Sequence, residues 1–133
     1  MSIYIDQNTR VLVQGITGKE GSFWVRHMID MGTCVVAGVT PGKEGQRIEE
    51  VPVYHTVRRA VRETSPEASV LFVPPRFAKD AVFEALNAGL QKIVITAEGI
   101  PLHDTLQIRR AALTCGAMIL GGNTTGVITP GEA

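Results

Sequence analysis

The sequence predicts a doubly wound α/β domain, a parallel sheet with helices on both faces and three layers in depth. Three observations carry that expectation. Short β-rich runs alternate with helical patterns along all 133 residues, as a sheet built from βαβ units requires. The connections are short, and right-handed crossovers then force a doubly wound topology. Finally, the first strand runs into Gly15, Gly18 and Gly21, spaced by three, directly before a helix pattern.

The elements follow in order. Val11–Val13 form the apolar centre of a strand over Arg10–Gln14. Lys19–Met31 reads as a helix with Phe23, Trp24, Met28 and Met31 toward one side and Gly32 as its stop. Cys34–Val39 is a strand ended by the Pro41-Gly42 turn, and a polar loop through Gln46 leads to an extended piece at Val51–Tyr54. Thr56 stands where its hydroxyl can cap a helix over Val57–Glu63. Ser69–Val73 is a continuously apolar strand, as expected when both faces are covered. Pro74-Pro75 ends it, because proline supplies no ladder donor. A helix over Arg76–Ala88 has Phe77, Ala81, Phe83, Ala85 and Leu86 contributing apolar surface, with Gly89 as its cap. Lys92–Thr96 is a strand, and Asp104–Cys115 a helix with Leu106, Ile108, Ala112 and Leu113 turned inward and Gly116 at its end. Ala117–Leu120 is the last strand; the tail VITPGEA either pairs as a short extension or hangs free. The result is a Rossmann-like single domain over residues 1–133.

Composition removes several function classes. Thirteen basic and thirteen acidic side chains cancel, leaving no global field to favour nucleic acid or an anionic membrane. The longest apolar runs fall far short of the ~20 residues a membrane span needs. The N-terminus lacks the basic-then-apolar pattern of a secretory signal. Cys34 and Cys115 lie in apolar stretches far apart in sequence and read as buried, reduced thiols, so the cytoplasm is the expected compartment.

In such sheets ligands bind beyond the carboxyl ends of the strands, where strand order reverses. The loops there are rich in glycine, proline and hydroxyl groups. A strand turning through Gly15 and Gly18 into a helix gathers backbone N–H groups and a positive helix end around one point, which suits a phosphate. The same glycines also serve a tight turn needing φ > 0. Thr17 either donates to a phosphate oxygen or holds the turn through a local bond. After the second strand, an NAD site usually carries an acidic residue. Here Thr40-Pro41-Gly42-Lys43 stands instead, and a lysine there favours an extra ribose phosphate, as in coenzyme A or NADP, unless it is simply solvated. Glu98, at another strand end, suits acid–base or orienting work, or caps a helix. Asn123 either offers its amide to a ligand or serves a left-handed turn. No catalytic or metal arrangement is visible: His27, His55 and His103 lack partners at triad or ligand spacing and read as exposed or hydrogen-bonded structural residues.

Taken together, QGITGKEG, GVTPGK, the VPP after the third strand, ITAEGIP and GGNTTGVITPGE resemble the α subunit of succinyl-CoA synthetase, in its N-terminal coenzyme A-binding domain. The likeness covers the whole chain. It implies that Gly15, Thr17, Gly18, Lys19 and Glu20 hold coenzyme A through the first loop, and that Pro41 and Lys43 meet its nucleotide end, Lys43 pairing with a phosphate. It further implies that Val73 and Pro74 wall the cofactor, that Thr96, Ala97 and Glu98 touch it further along, and that Asn123 lies near the thioester end. The implied reaction joins a small carboxylate to coenzyme A through an acyl phosphate, with a β subunit of the ATP-grasp type as partner. The family's phosphohistidine belongs to a domain expected after Ala133, so this chain alone is expected to bind coenzyme A without ligase activity. The usual loop GPNCPG stands here as GGNTTG, a departure that bears on substrate choice. A free-standing coenzyme A-binding protein and an NADP-dependent oxidoreductase domain are the alternatives.

Overall fold

The structure, a computed structural model, describes residues 4–133. In chain order the elements are β1 (Arg10–Gln14), α1 (Lys19–Asp30), β2 (Cys34–Val39), β3 (Arg47–Ile48), β4 (Val51–Tyr54) and α2 (Val57–Thr64). They continue with β5 (Ala68–Leu71), α3 (Pro75–Asn87), β6 (Lys92–Ile95), α4 (Leu102–Cys115) and β7 (Met118–Leu120). The strands lie in the order β3-β4-β2-β1-β5-β6-β7. All pairs are parallel except β3 with β4. The Rossmann-like α/β fold is therefore as expected, and strand order reverses at β1, which pairs with β2 on one side and β5 on the other.

Alternation along the strands sorts the core into two layers. Leu12, Leu71, Ile93 and Ile95 face Val57 and Ala60 of α2, Val82 and Ala85 of α3, and Ile108 of α4. Val11, Val13, Val70 and Val94 point the other way, toward Tyr4, Ile16 and Val25 of α1. Three helices thus cover one face and α1 alone covers the other. Crossover hand explains the imbalance: β1 to β2 runs one way across the sheet, whereas the helical connections from β4 onward all run the opposite way. The remaining link, β2 to β4, carries the β3 hairpin in place of a helix.

That hairpin is absent from the sequence reading. It turns through Glu49 and Glu50, both left-handed at φ 49° and 68°. Two positive φ values suit a tight hairpin, but Glu-Glu carries none of the usual Asn-Gly signal. β1, β2 and β4 have the expected limits, and the other expected strands and helices differ by one or two residues. β5 stops at Leu71, although the Phe72 N–H still reaches the Gln14 carbonyl at 2.9 Å.

Most of the apolar stripe of α1 lies on its exposed side. Phe23, Trp24 and Met31 are 56%, 47% and 67% exposed, while Gly21 and Val25 are buried. A Cβ on Gly21 would stand 2.2 Å from the Gly15 carbonyl oxygen, so α1 settles on its glycine and turns the larger apolar residues outward. Phe77, Leu106 and Leu113 are likewise exposed, because α3 and α4 seat on their alanines, Val82, Leu86 and Ile108. Cys34 is half-buried and Cys115 exposed, both free, which corrects the expectation of two buried thiols. The tail neither pairs nor hangs free. Val127 packs on the α1-side core, and the Thr129 hydroxyl donates to the Ile5 carbonyl at 2.6 Å. Between this tail, α1 and the sheet lies a largely apolar hollow of about 390 Å³. Among the described residues no helix is long and apolar enough to cross a membrane.

Candidate functional site at the carboxyl rim

The reversal point is built from glycine outward. Gly15 follows β1 at φ +82°, and a Cβ there would lie 2.4 Å from the Phe72 carbonyl oxygen. The loops after β1 and β5 therefore touch through backbone, with no room for a side chain. The Gly15 N–H donates to Val39 at 2.8 Å and the Gly18 N–H returns to Gly15 at 3.1 Å, closing the turn. Glycine is required here twice over, by the positive φ expected of the turn and by the close approach of the Phe72 carbonyl.

The helices differ in how they begin. α1 starts at Gly18 and α3 at Pro74, neither with a capping side chain. At α1 the first-turn N–H groups lack an intrahelical acceptor and the aligned peptide dipoles favour an anion; α3 offers fewer open donors, since Pro75 has no N–H and the Phe77 N–H bonds the Pro74 carbonyl at 2.9 Å. The outlying α2 is instead closed: Thr56 accepts from the Arg59 N–H at 3.2 Å and Glu84 Oε1 from the Val57 N–H at 2.8 Å. The two uncapped ends flank the crevice between β1 and β5.

Lys43 is exposed in the loop after β2. Its neighbour Glu44 is already paired, with Arg59 Nε 2.8 Å from its carboxylate. The Lys43 ammonium has no hydrogen-bond or ion partner among the described residues and faces solvent beside the rim. In place of a local backbone bond, the Thr17 hydroxyl donates to the Thr40 hydroxyl at 3.1 Å, joining the first and second loops. The Gly42 N–H donates to His55 Nδ1 at 2.8 Å, so His55 is one of the hydrogen-bonded histidines expected.

The opposite half of the rim is held by main chain. The Thr96 hydroxyl donates to the Leu71 carbonyl at 2.7 Å, and the Asn123 N–H to the Ala97 carbonyl at 2.7 Å. Asn123 is left-handed at φ 56°, in keeping with the turn reading of that residue. A Cβ on Gly122 would approach the Ala97 oxygen and Ile100 Cδ1 to 2.9 Å, so glycine lets the loop after β7 lie against the loop after β6. Glu98 is exposed and caps nothing; α4 begins at Pro101 without a side-chain cap.

All the sequence-identified positions fall on this one edge: Gly15, Thr17, Gly18, Lys19, Glu20, Pro41, Lys43, Val73, Pro74, Thr96, Ala97, Glu98 and Asn123. Thr40, His55 and Arg59 belong to it as well and were not singled out as ligand-side residues. Thr40 and His55 each directly follow a strand, the same signal that draws attention to Lys43. Arg76, in the first turn of α3, adds a cation, its guanidinium 4.8 Å from the centre of the Phe77 ring. The edge fits a nucleotide carrying several phosphates: backbone donors at a reversal point, two uncapped helix ends and an unpaired lysine.

Comparison with known proteins agrees. Residues 6–99 match the family described as CoA binding domain. The chain is 63% identical over its full 133 residues to the ADP-forming sulfoacetate-CoA ligase subunit SauD of Bilophila wadsworthia, covering 45% of that protein. It is 52% identical to the ADP-forming succinate–CoA ligase subunit alpha 1 of Archaeoglobus fulgidus, again over its full length and 46% of the relative. The chain thus spans about half the length of the curated relatives it matches. Among solved structures, ATP citrate lyase from Methanothrix soehngenii in complex with citrate and coenzyme A superposes with a TM-score of 0.87 over 97% of this chain and 23% of that one. At 21% identity, that likeness speaks for the fold.

Proposed function

The chain belongs to the CoA-binding domain family, and from that premise we propose that it is the coenzyme A-holding part of an ADP-forming acid–CoA ligase α subunit. Coenzyme A lies across the carboxyl rim. Its pyrophosphate meets the Gly15–Glu20 turn and the open end of α1, where N–H donors and the helix dipole act together. Lys43, beyond Pro41, pairs with the phosphate on the ribose. Val73 and Pro74 wall the arm, Thr96, Ala97 and Glu98 follow it, and Asn123 stands near the thiol end. The observation that carries this reading is the free Lys43 ammonium, left available because Arg59 engages Glu44.

The chain's own contribution is positioning: it delivers the thiol to an acyl phosphate in a reactive geometry. A β subunit of the ATP-grasp type supplies the nucleotide chemistry, in the cytoplasm. The acid is a small carboxylate. Sulfoacetate is favoured over succinate, since the two sulfoacetate-CoA ligase subunits are 63% and 61% identical and the succinate ligase subunits 46–52%. The GGNTTG loop, which departs from GPNCPG, supports a different acid from the family's usual one.

Calorimetric titration of the chain with coenzyme A and with NADPH tests the reading. Binding of coenzyme A in clear preference to NADPH is expected, and the reverse preference contradicts it. The 133-residue chain is expected to show no acid–CoA ligase turnover by itself with sulfoacetate or succinate and ATP.

A further inference from the structure

We propose that His55 is a positioning residue that pre-sets the Lys43 loop for the ribose phosphate, an inference resting on the coenzyme A reading above. The tip of this loop has little else to hold it. Pro41 has no N–H to donate, Gly42 sits at φ +80°, and a Cβ built on it would meet nothing within 4 Å. Packing therefore does not fix the tip. Hydrogen bonds do: the Lys43 N–H reaches the Thr40 carbonyl at 3.1 Å, and the Gly42 N–H reaches His55 Nδ1 at 2.8 Å.

The imidazole bond is the distinctive one. His55 immediately follows β4, so the sheet holds its backbone, and its ring accepts from the N–H of the residue directly before Lys43. A ring that accepts at Nδ1 carries its proton on Nε2, so the neutral tautomer performs this task. The other braces act at the loop's start and on the far side of the lysine, where the Gln46 N–H also reaches the Lys43 carbonyl at 3.3 Å. Thr17 grips Thr40 at the loop's start, and Arg59 grips Glu44 in an ion pair whose side chains are 58% and 39% exposed, which solvent weakens. Without the imidazole the tip must be ordered when ligand arrives, and that entropic cost is subtracted from affinity. Because the ordered element presents Lys43, the loss falls on ligands that carry the ribose phosphate.

The test compares coenzyme A with dephospho-coenzyme A by calorimetry on the full chain. His55→Ala is expected to weaken coenzyme A about three- to tenfold, with dephospho-coenzyme A changed by less than about twofold, the scale of one lost hydrogen bond. His55→Asn keeps a side-chain oxygen able to accept from Gly42 and is expected to restore most of the affinity. A Lys43→Ala arm separates the two readings. If Lys43→Ala does not discriminate between the ligands, the placement of the ribose phosphate fails and this inference falls with it. If Lys43→Ala discriminates but His55→Ala does not, or if His55→Ala weakens both ligands equally, the role of His55 alone is overturned. Failure of His55→Asn to recover affinity also overturns it.

Discussion

On the β2 and β4 side of the rim, loops are joined by side chains: Thr17 to Thr40, His55 to Gly42 and Arg59 to Glu44. On the β5, β6 and β7 side they are joined through main-chain carbonyls, at Leu71 and Ala97, and through the missing side chain of Gly122. The first half carries an unpaired lysine; the second offers proline, threonine and backbone, with Arg76 at the start of α3 and the exposed Glu98 as its charges. This difference suits a ligand with a charged nucleotide end and a largely neutral arm. It also means that the two halves answer differently to mutation.

The largest effect is expected where the halves meet. Gly21→Ala drives a Cβ to 2.2 Å from the Gly15 carbonyl oxygen, and overpacking of that kind costs about 3 kcal/mol. Urea denaturation measures it; a loss below about 1 kcal/mol shows that the turn yields and is not the rigid junction described. Lys43→Glu comes next, with coenzyme A binding reduced about 10- to 100-fold, in line with losing one charged hydrogen bond. Dephospho-coenzyme A should change far less, and equal losses place the lysine at the pyrophosphate instead.

In the other half, Gly122→Ala pushes against Ala97 and Ile100 and should cost about 1 kcal/mol of stability. It should lower affinity for coenzyme A and its dephospho form alike; a selective loss for one of them removes the distinction between the halves. The smallest effect belongs to Arg59→Met, which releases Glu44 to compete for Lys43. A roughly two- to threefold loss of coenzyme A affinity is expected, shrinking as salt is raised, as for an exposed ion pair. A loss that persists at high salt points to packing.

The legibility of these features in the sequence divides along a physical line. β1 and β2 are readable to the residue because their apolar runs end at glycine or proline punctuation, and β4 because the Thr56 cap that follows it is local chemistry. The rim is readable because chain topology alone brings strand ends together. The outward turn of Phe23, Trp24 and Met31 is not. Periodicity reveals an apolar stripe on α1, but not that Gly21 and Val25 form the contact, since a glycine seat carries no hydrophobic signal. The bonds of Gly42 to His55 and of Thr17 to Thr40 join residues separated in sequence. Only the register of β1, β2 and β4 brings them within reach.

The most direct measurement is a crystal structure of this chain grown with coenzyme A. The ribose phosphate is expected at Lys43, the pyrophosphate at the Gly15–Gly18 turn and the arm running past Pro74 and Thr96 toward Asn123. Density for the adenosine in the apolar hollow between α1 and the tail, with the rim vacant, contradicts the central claim.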